Sequence, residues 1–83
     1  MTRFIPVKTS LGMFSDELSV SIQLVTGNTV SLFADKNLLK DDGNGNSLLE
    51  TMLVSEDIEL KKQTVLLPTE TFETASRYVE VHL

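Results

Sequence analysis

The chain has no cysteine, no tryptophan, a single histidine and no long apolar run. Each gap removes a class of chemistry. Without cysteine there is no disulfide, no thiolate nucleophile and no zinc site built on thiolates. Absence of cysteine also favours a reducing compartment over secretion. The first fifteen residues carry Arg3 and Lys8 but no apolar stretch of signal-peptide length, so a cytoplasmic location is expected. No segment approaches the roughly 20 apolar residues of a bilayer span, and no membrane partner is expected. The only histidine, His82, is the penultimate residue, a poor place to hold a general base rigidly. Its plainer reading is an exposed strand residue. Nucleophile-elbow, zinc-protease, phosphate-loop and dinucleotide-binding patterns are all missing. The sequence therefore assigns no catalytic residue, no cofactor and no metal, and reads as a non-enzyme.

Charge of one sign is also scarce. Seven Lys and Arg face twelve Asp and Glu, a net charge of −5. That opposes binding to phosphate backbones and anionic lipid, and makes nucleic acid an unlikely partner. The acids fall mostly in turn-like or outward positions, where they solvate the surface. One acidic segment carries a metal pattern. Asp42-x-Asn44-x-Asn46 opens like a calcium loop, and Asp41, Asp42 and Asn44 could supply a weak oxygen site. The pattern then fails: Ser47 stands at the sixth position in place of Gly, and Leu53 at the twelfth in place of Glu. Residues 40–47, KDDGNGNS, read instead as an exposed, flexible loop.

What is present is alternation. Eighty-three residues form one small domain, 1–83, burying about 60–65% of its unfolded surface. In Leu18–Ala34, Val20, Ile22 and Leu24 share one strand face, and Val30, Leu32 and Ala34 share another. A three-residue loop, Thr26-Gly27-Asn28, with Asn28 left-handed, would pair Leu24 with Val30, Ile22 with Leu32 and Val20 with Ala34. The opposite face still carries Val25 and Phe33, which asks for partial cover there too, by barrel closure or by a partner.

Elsewhere Arg3–Thr9 alternates as a strand, with Pro6 marking it as an edge. Asp35-Lys36-Asn37 reads as a turn, with Leu38-Leu39 returning to the core. Residues 48–54 read as a strand followed by a turn at Ser55–Asp57, and Ile58–Leu67 as another strand. Ser47-Leu48-Leu49-Glu50 also matches a capping box, so a helix over 48–56 is the alternative. Residues 69–76 read as a turn or single helical turn. Arg77–Leu83 follows as a last strand, with Val79, Val81 and Leu83 inward; a helix over 69–81 is the alternative. The expectation is mainly β: five or six short antiparallel strands in a small barrel or curled sheet, against an α+β alternative with helices near 48–56 and 69–81. In shape this resembles many small β-barrels, and no motif names a family.

With a thin catalytic inventory and an apolar second face, the expected function is protein–protein interaction. The chain would contact a protein partner or a second copy of itself, with the last strand open at its edge. The expected interface residues are Val25, Phe33, Arg77, Tyr78 and Val79. The alternative is a nucleic-acid-binding or regulatory small barrel using Arg77 beside Tyr78.

Overall fold

In a computed structural model describing residues 1–83, the alternating segments become seven strands: β1 (Thr2–Leu11), β2 (Glu17–Gln23), β3 (Thr29–Asp35), β4 (Leu39–Asp41), β5 (Ser47–Asp57), β6 (Lys62–Leu66) and β7 (Tyr78–His82). Every pairing is antiparallel. Strand order is β3-β2-β1-β5-β6-β7, with short β4 added to β5 beside β6, giving a mainly β, curled half-barrel. No helix is long and apolar enough to cross a membrane.

The concave face holds one core of twelve residues. Ile5, Val20, Leu32, Leu49, Val65 and Leu67 are completely enclosed, and Leu24, Leu38, Leu39 and Leu53 pack against them. Alternation made this possible: the buried residues of β1, β2, β3, β6 and β7 fall at alternate positions. Leu83 departs from the expected pattern. It lies beyond β7 and is 49% exposed.

Pro6 did not make β1 an edge strand. Thr2–Val7 pairs with β5, whereas Lys8–Leu11 pairs with β2, so one strand serves both halves of the curl. The N–H of Leu53 donates to the Met1 carbonyl (2.8 Å). This sets the alternation so that odd residues of β1 bond β5. Pro6 therefore turns its nitrogen toward the side where β2 has not yet joined, and no ladder bond is lost.

The first hairpin keeps its predicted loop length but not its register. Ile22 faces Val30, Val20 faces Leu32 and Leu18 faces Ala34, so each β2 residue pairs two positions earlier on β3 than expected. The loop is Val25-Thr26-Gly27: Gly27 N–H donates to the Leu24 carbonyl (3.0 Å), and Leu24 N–H to that of Asn28 (2.8 Å). Gly27, at φ 91°, takes the left-handed position, which costs it nothing because it has no Cβ. The side chain of Asn28 would have been a poorer occupant. Because the shift is by an even number, the apolar face is unchanged.

The helical alternatives are overturned. Residues 48–56 lie within β5, where Leu49 and Thr51 face inward between β1 and the β4–β6 side. Residues 69–77 hold neither a helix nor a helical turn, and β7 follows at Tyr78. Ser55–Asp57 is not a turn either, since β5 runs to Asp57, and a bulge at Val54 bends it. The turn is Ile58–Lys61. Asp57 Oδ1 accepts from Leu60 N–H (3.0 Å), and Lys61 is left-handed (φ 54°). Ile58 and Leu60 resemble core residues in sequence yet stand in solvent.

Residues 40–47 are not one irregular loop. Lys40 and Asp41 close β4, Ser47 opens β5, and an exposed turn at 42–46 joins them. Asp41 Oδ1 accepts from Gly43 N–H (2.9 Å), and Asp42 Oδ1 from Asn44 N–H (2.7 Å) and Asn46 N–H (3.2 Å). These bonds hold the Asp42 carboxyl below the usual aspartate range, the Asn44 backbone bond most of all. Both carboxylates point oxygens at the loop's own amides, and the residues gather no metal-binding cluster.

Candidate binding groove

Two strand edges must be dealt with in an open sheet, β3 and β7. On β3, even residues bond β2, so Ser31 turns its peptide groups outward. The segment joining β6 to β7 crosses to meet them. Phe72 N–H donates to the Ser31 carbonyl (2.9 Å), while the Glu73 carboxylate accepts from Ser31 N–H and Ser31 Oγ, both at 2.7 Å. The hydroxyl bond first, then the backbone bond, lower the Glu73 carboxyl below the usual glutamate range.

On β7, odd residues bond β6: the Arg77 carbonyl accepts from Leu67 N–H, and Leu83 N–H donates to Lys61. Tyr78, Glu80 and His82 therefore present their peptide groups at the outer edge. This edge is largely occupied. Val25 N–H, at the hairpin tip, donates to the Glu80 carbonyl (3.0 Å) and ties the two ends of the sheet together. Ser76 Oγ accepts from Tyr78 N–H (3.1 Å), and the His82 carbonyl accepts from Gln63 Nε2 (3.3 Å).

Between the hairpin tip and β7 lies an open groove of about 560 Å3. Leu24 and Val25 line it from the hairpin, Tyr78 and Val79 from β7, and Thr64 and Thr74 complete the lining. Tyr78 is 59% exposed, Val25 half-buried and Val79 buried. Glu80 also lines the groove, and its carboxylate is 2.9 Å from Lys62 Nζ, raising the Lys62 pKa above the usual lysine range.

Of the five expected interface residues, three meet here: Val25, Tyr78 and Val79. Arg77 is adjacent, but its Nε donates to the Leu67 carbonyl (2.9 Å) and anchors the crossing segment. Phe33 is elsewhere, covered by Phe72 of its own chain.

Sequence reasoning missed a polar plug at the margin of the core. Arg3 Nη1 donates to Gln63 Oε1 (2.8 Å), its other terminal nitrogen pairs with Glu56, and Thr51 Oγ1 donates to the Arg3 carbonyl (2.7 Å). Gln63 and Thr51 are buried. The signal was the inward parity of Arg3 with Ile5 and Val7. A smaller cavity of about 380 Å3, lined in part by Lys8, Gln23, Asp42 and His82, opens where β1 and β2 part.

Compared with protein-family models, curated proteins and solved structures, the chain matches none.

Proposed function

We propose that this chain is a non-catalytic interaction domain that binds another protein, or a second copy of itself, through the groove between the first hairpin tip and β7. The observation carrying this reading is the convergence of Val25, Tyr78 and Val79, from opposite ends of the sheet order, on one open groove lined also by Thr64, Thr74 and Ser76. Aromatic and apolar side chains with a polar rim are the common make-up of contact surfaces. The acids support it indirectly. Asp35, Asp41, Asp42, Asp57 and Glu73 accept backbone N–H bonds, and Glu56 and Glu80 sit in ion pairs, so these carboxylates are spent on the fold.

The nucleic-acid alternative draws less support, because four of the seven basic side chains are engaged within the chain. Arg3, Lys62 and Arg77 are bonded within the chain, and Lys40 lies 3.7 Å from the centroid of the Phe4 ring.

The test is capture of partners from native lysate after nuclease treatment, together with sedimentation of the purified protein across concentrations. Wild type is compared with Tyr78→Asp and with Met13→Asp, an exposed position beyond the other end of β2. Loss of the complex in Tyr78→Asp alone supports the groove. Retention in both variants overturns it.

A further inference from the structure

The turn between β4 and β5 contains the only Asn-Gly pair in the sequence, Asn44-Gly45. Both residues are exposed. The amides on either side of Gly45 are held, Asn44 N–H and Asn46 N–H both donating to Asp42 Oδ1. The Gly45 N–H has no hydrogen-bond partner. Gly45 has no side chain to obstruct its nitrogen, and at φ 84° it lies where other residues are strained. The Asn44 side chain makes no hydrogen bond that would restrain or shield its carbonyl carbon.

We propose that Asn44 is a modification site, deamidating spontaneously by attack of the Gly45 backbone nitrogen on the Asn44 side-chain carbonyl. The Gly45 nitrogen gives its proton to solvent base and bonds to Asn44 Cγ. The Cγ–Nδ2 bond breaks and the nitrogen departs as ammonia, having taken a proton from water. The resulting five-membered succinimide is opened by water at either carbonyl. One opening yields aspartate; the other yields isoaspartate, with the main chain running through Cβ. One water is consumed, one ammonia is released and no electron is transferred. The net charge becomes one unit more negative than −5. The new carboxylate joins Asp41 and Asp42 in one turn, beside the cavity that Asp42 and Asn46 line.

The other asparagines are internal controls. Asn28 precedes β-branched Thr29, Asn37 precedes Leu38 within a 3-10 turn, and Asn46 precedes Ser47, which is fixed in β5. The experiment incubates the intact protein, its Asn44→Gln variant and a synthetic peptide of residues 41–47 at mildly alkaline pH. Ion exchange and peptide mapping by tandem mass spectrometry then resolve aspartate from isoaspartate. Conversion at Asn44 is expected first, several-fold faster than at the other three, with an acidic shift absent from Asn44→Gln. Glutamine would have to close a less favourable six-membered ring. An intact Asn44 in the protein while the peptide converts would overturn the proposal, as would an acidic shift in Asn44→Gln equal to wild type.

Discussion

Phe33 and Phe72 meet edge to face, their ring centroids 5.1 Å apart and their planes inclined at 75°. Phe33 stands on the second face of the first hairpin. Phe72 belongs to the irregular segment between β6 and β7, so Phe33 meets a ring of its own chain where the sequence pattern pointed to barrel closure or a partner. The crossing segment has no regular structure of its own. It is held by this ring contact, by the bonds at Ser31 and by the Arg77 bond to the Leu67 carbonyl.

Phe72→Ala should therefore loosen the crossing segment without dismantling the sheet. Aromatic pairs contribute about 1 kcal/mol beyond their buried area. Phe72 is itself 64% exposed, so the burial lost is modest. Chemical denaturation should show a loss of about 1 kcal/mol, and hydrogen exchange at Ser31 should accelerate.

Acid should release the same segment. The Glu73 carboxyl is lowered in the folded chain, so its contact contributes fully above the ordinary glutamate pKa and is lost as pH falls through the lowered value. An NMR titration should give a Glu73 midpoint below the usual glutamate range, with the Ser31 amide shift following it. A Glu73→Gln variant should lose that pH-dependent shift at Ser31.

Gly12 and Gly27 should respond to alanine for different reasons. A Cβ on Gly12 would lie 2.6 Å from the Glu17 carbonyl oxygen, so backbone must move. Overpacking of that kind costs about 1–3 kcal/mol. A Cβ on Gly27 meets no atom, and the cost there is its left-handed φ alone, about 1 kcal/mol. Thermal melts of the two variants, and Gly27→Asn as a partial rescue, test the distinction.

Val25→Pro should untie the sheet's two ends. Val25 is the first central residue of the hairpin turn, where proline's fixed φ suits a type I turn. The substitution removes the N–H that donates to the Glu80 carbonyl. A loss of about 1 kcal/mol is expected for one hydrogen bond, with faster exchange confined to β7. Uniform loosening of β2 and β3 would instead show that the turn itself had failed.

The sequence by itself determined the alternation of faces within most strands, though not at Leu83, which it turned inward and which is exposed. Side chains alternate with a period of two, so Ile5 and Val7, Val20 and Ile22, Val30 and Leu32, and Val79 and Val81 could be placed without knowing their partners. Burial then forbade any odd slip of register. Tertiary structure decided what alternation cannot encode. An even slip leaves every face unchanged, so the choice of Gly27 over Asn28 as the left-handed residue fixed the pairing of β2 with β3. Whether Pro6 sat at an edge depended on where β1 changes partners, which is a property of the whole sheet. The turn at 58–61 was hidden because Ile58 and Leu60 look like core. The polar plug around Arg3 needed β1, β5 and β6 side by side. The groove likewise exists only because the curl brings Val25 to Glu80, residues 55 positions apart in the chain, so that Val25, Tyr78 and Val79 share one surface. Local pattern specifies a face, and only the packed sheet specifies a neighbour.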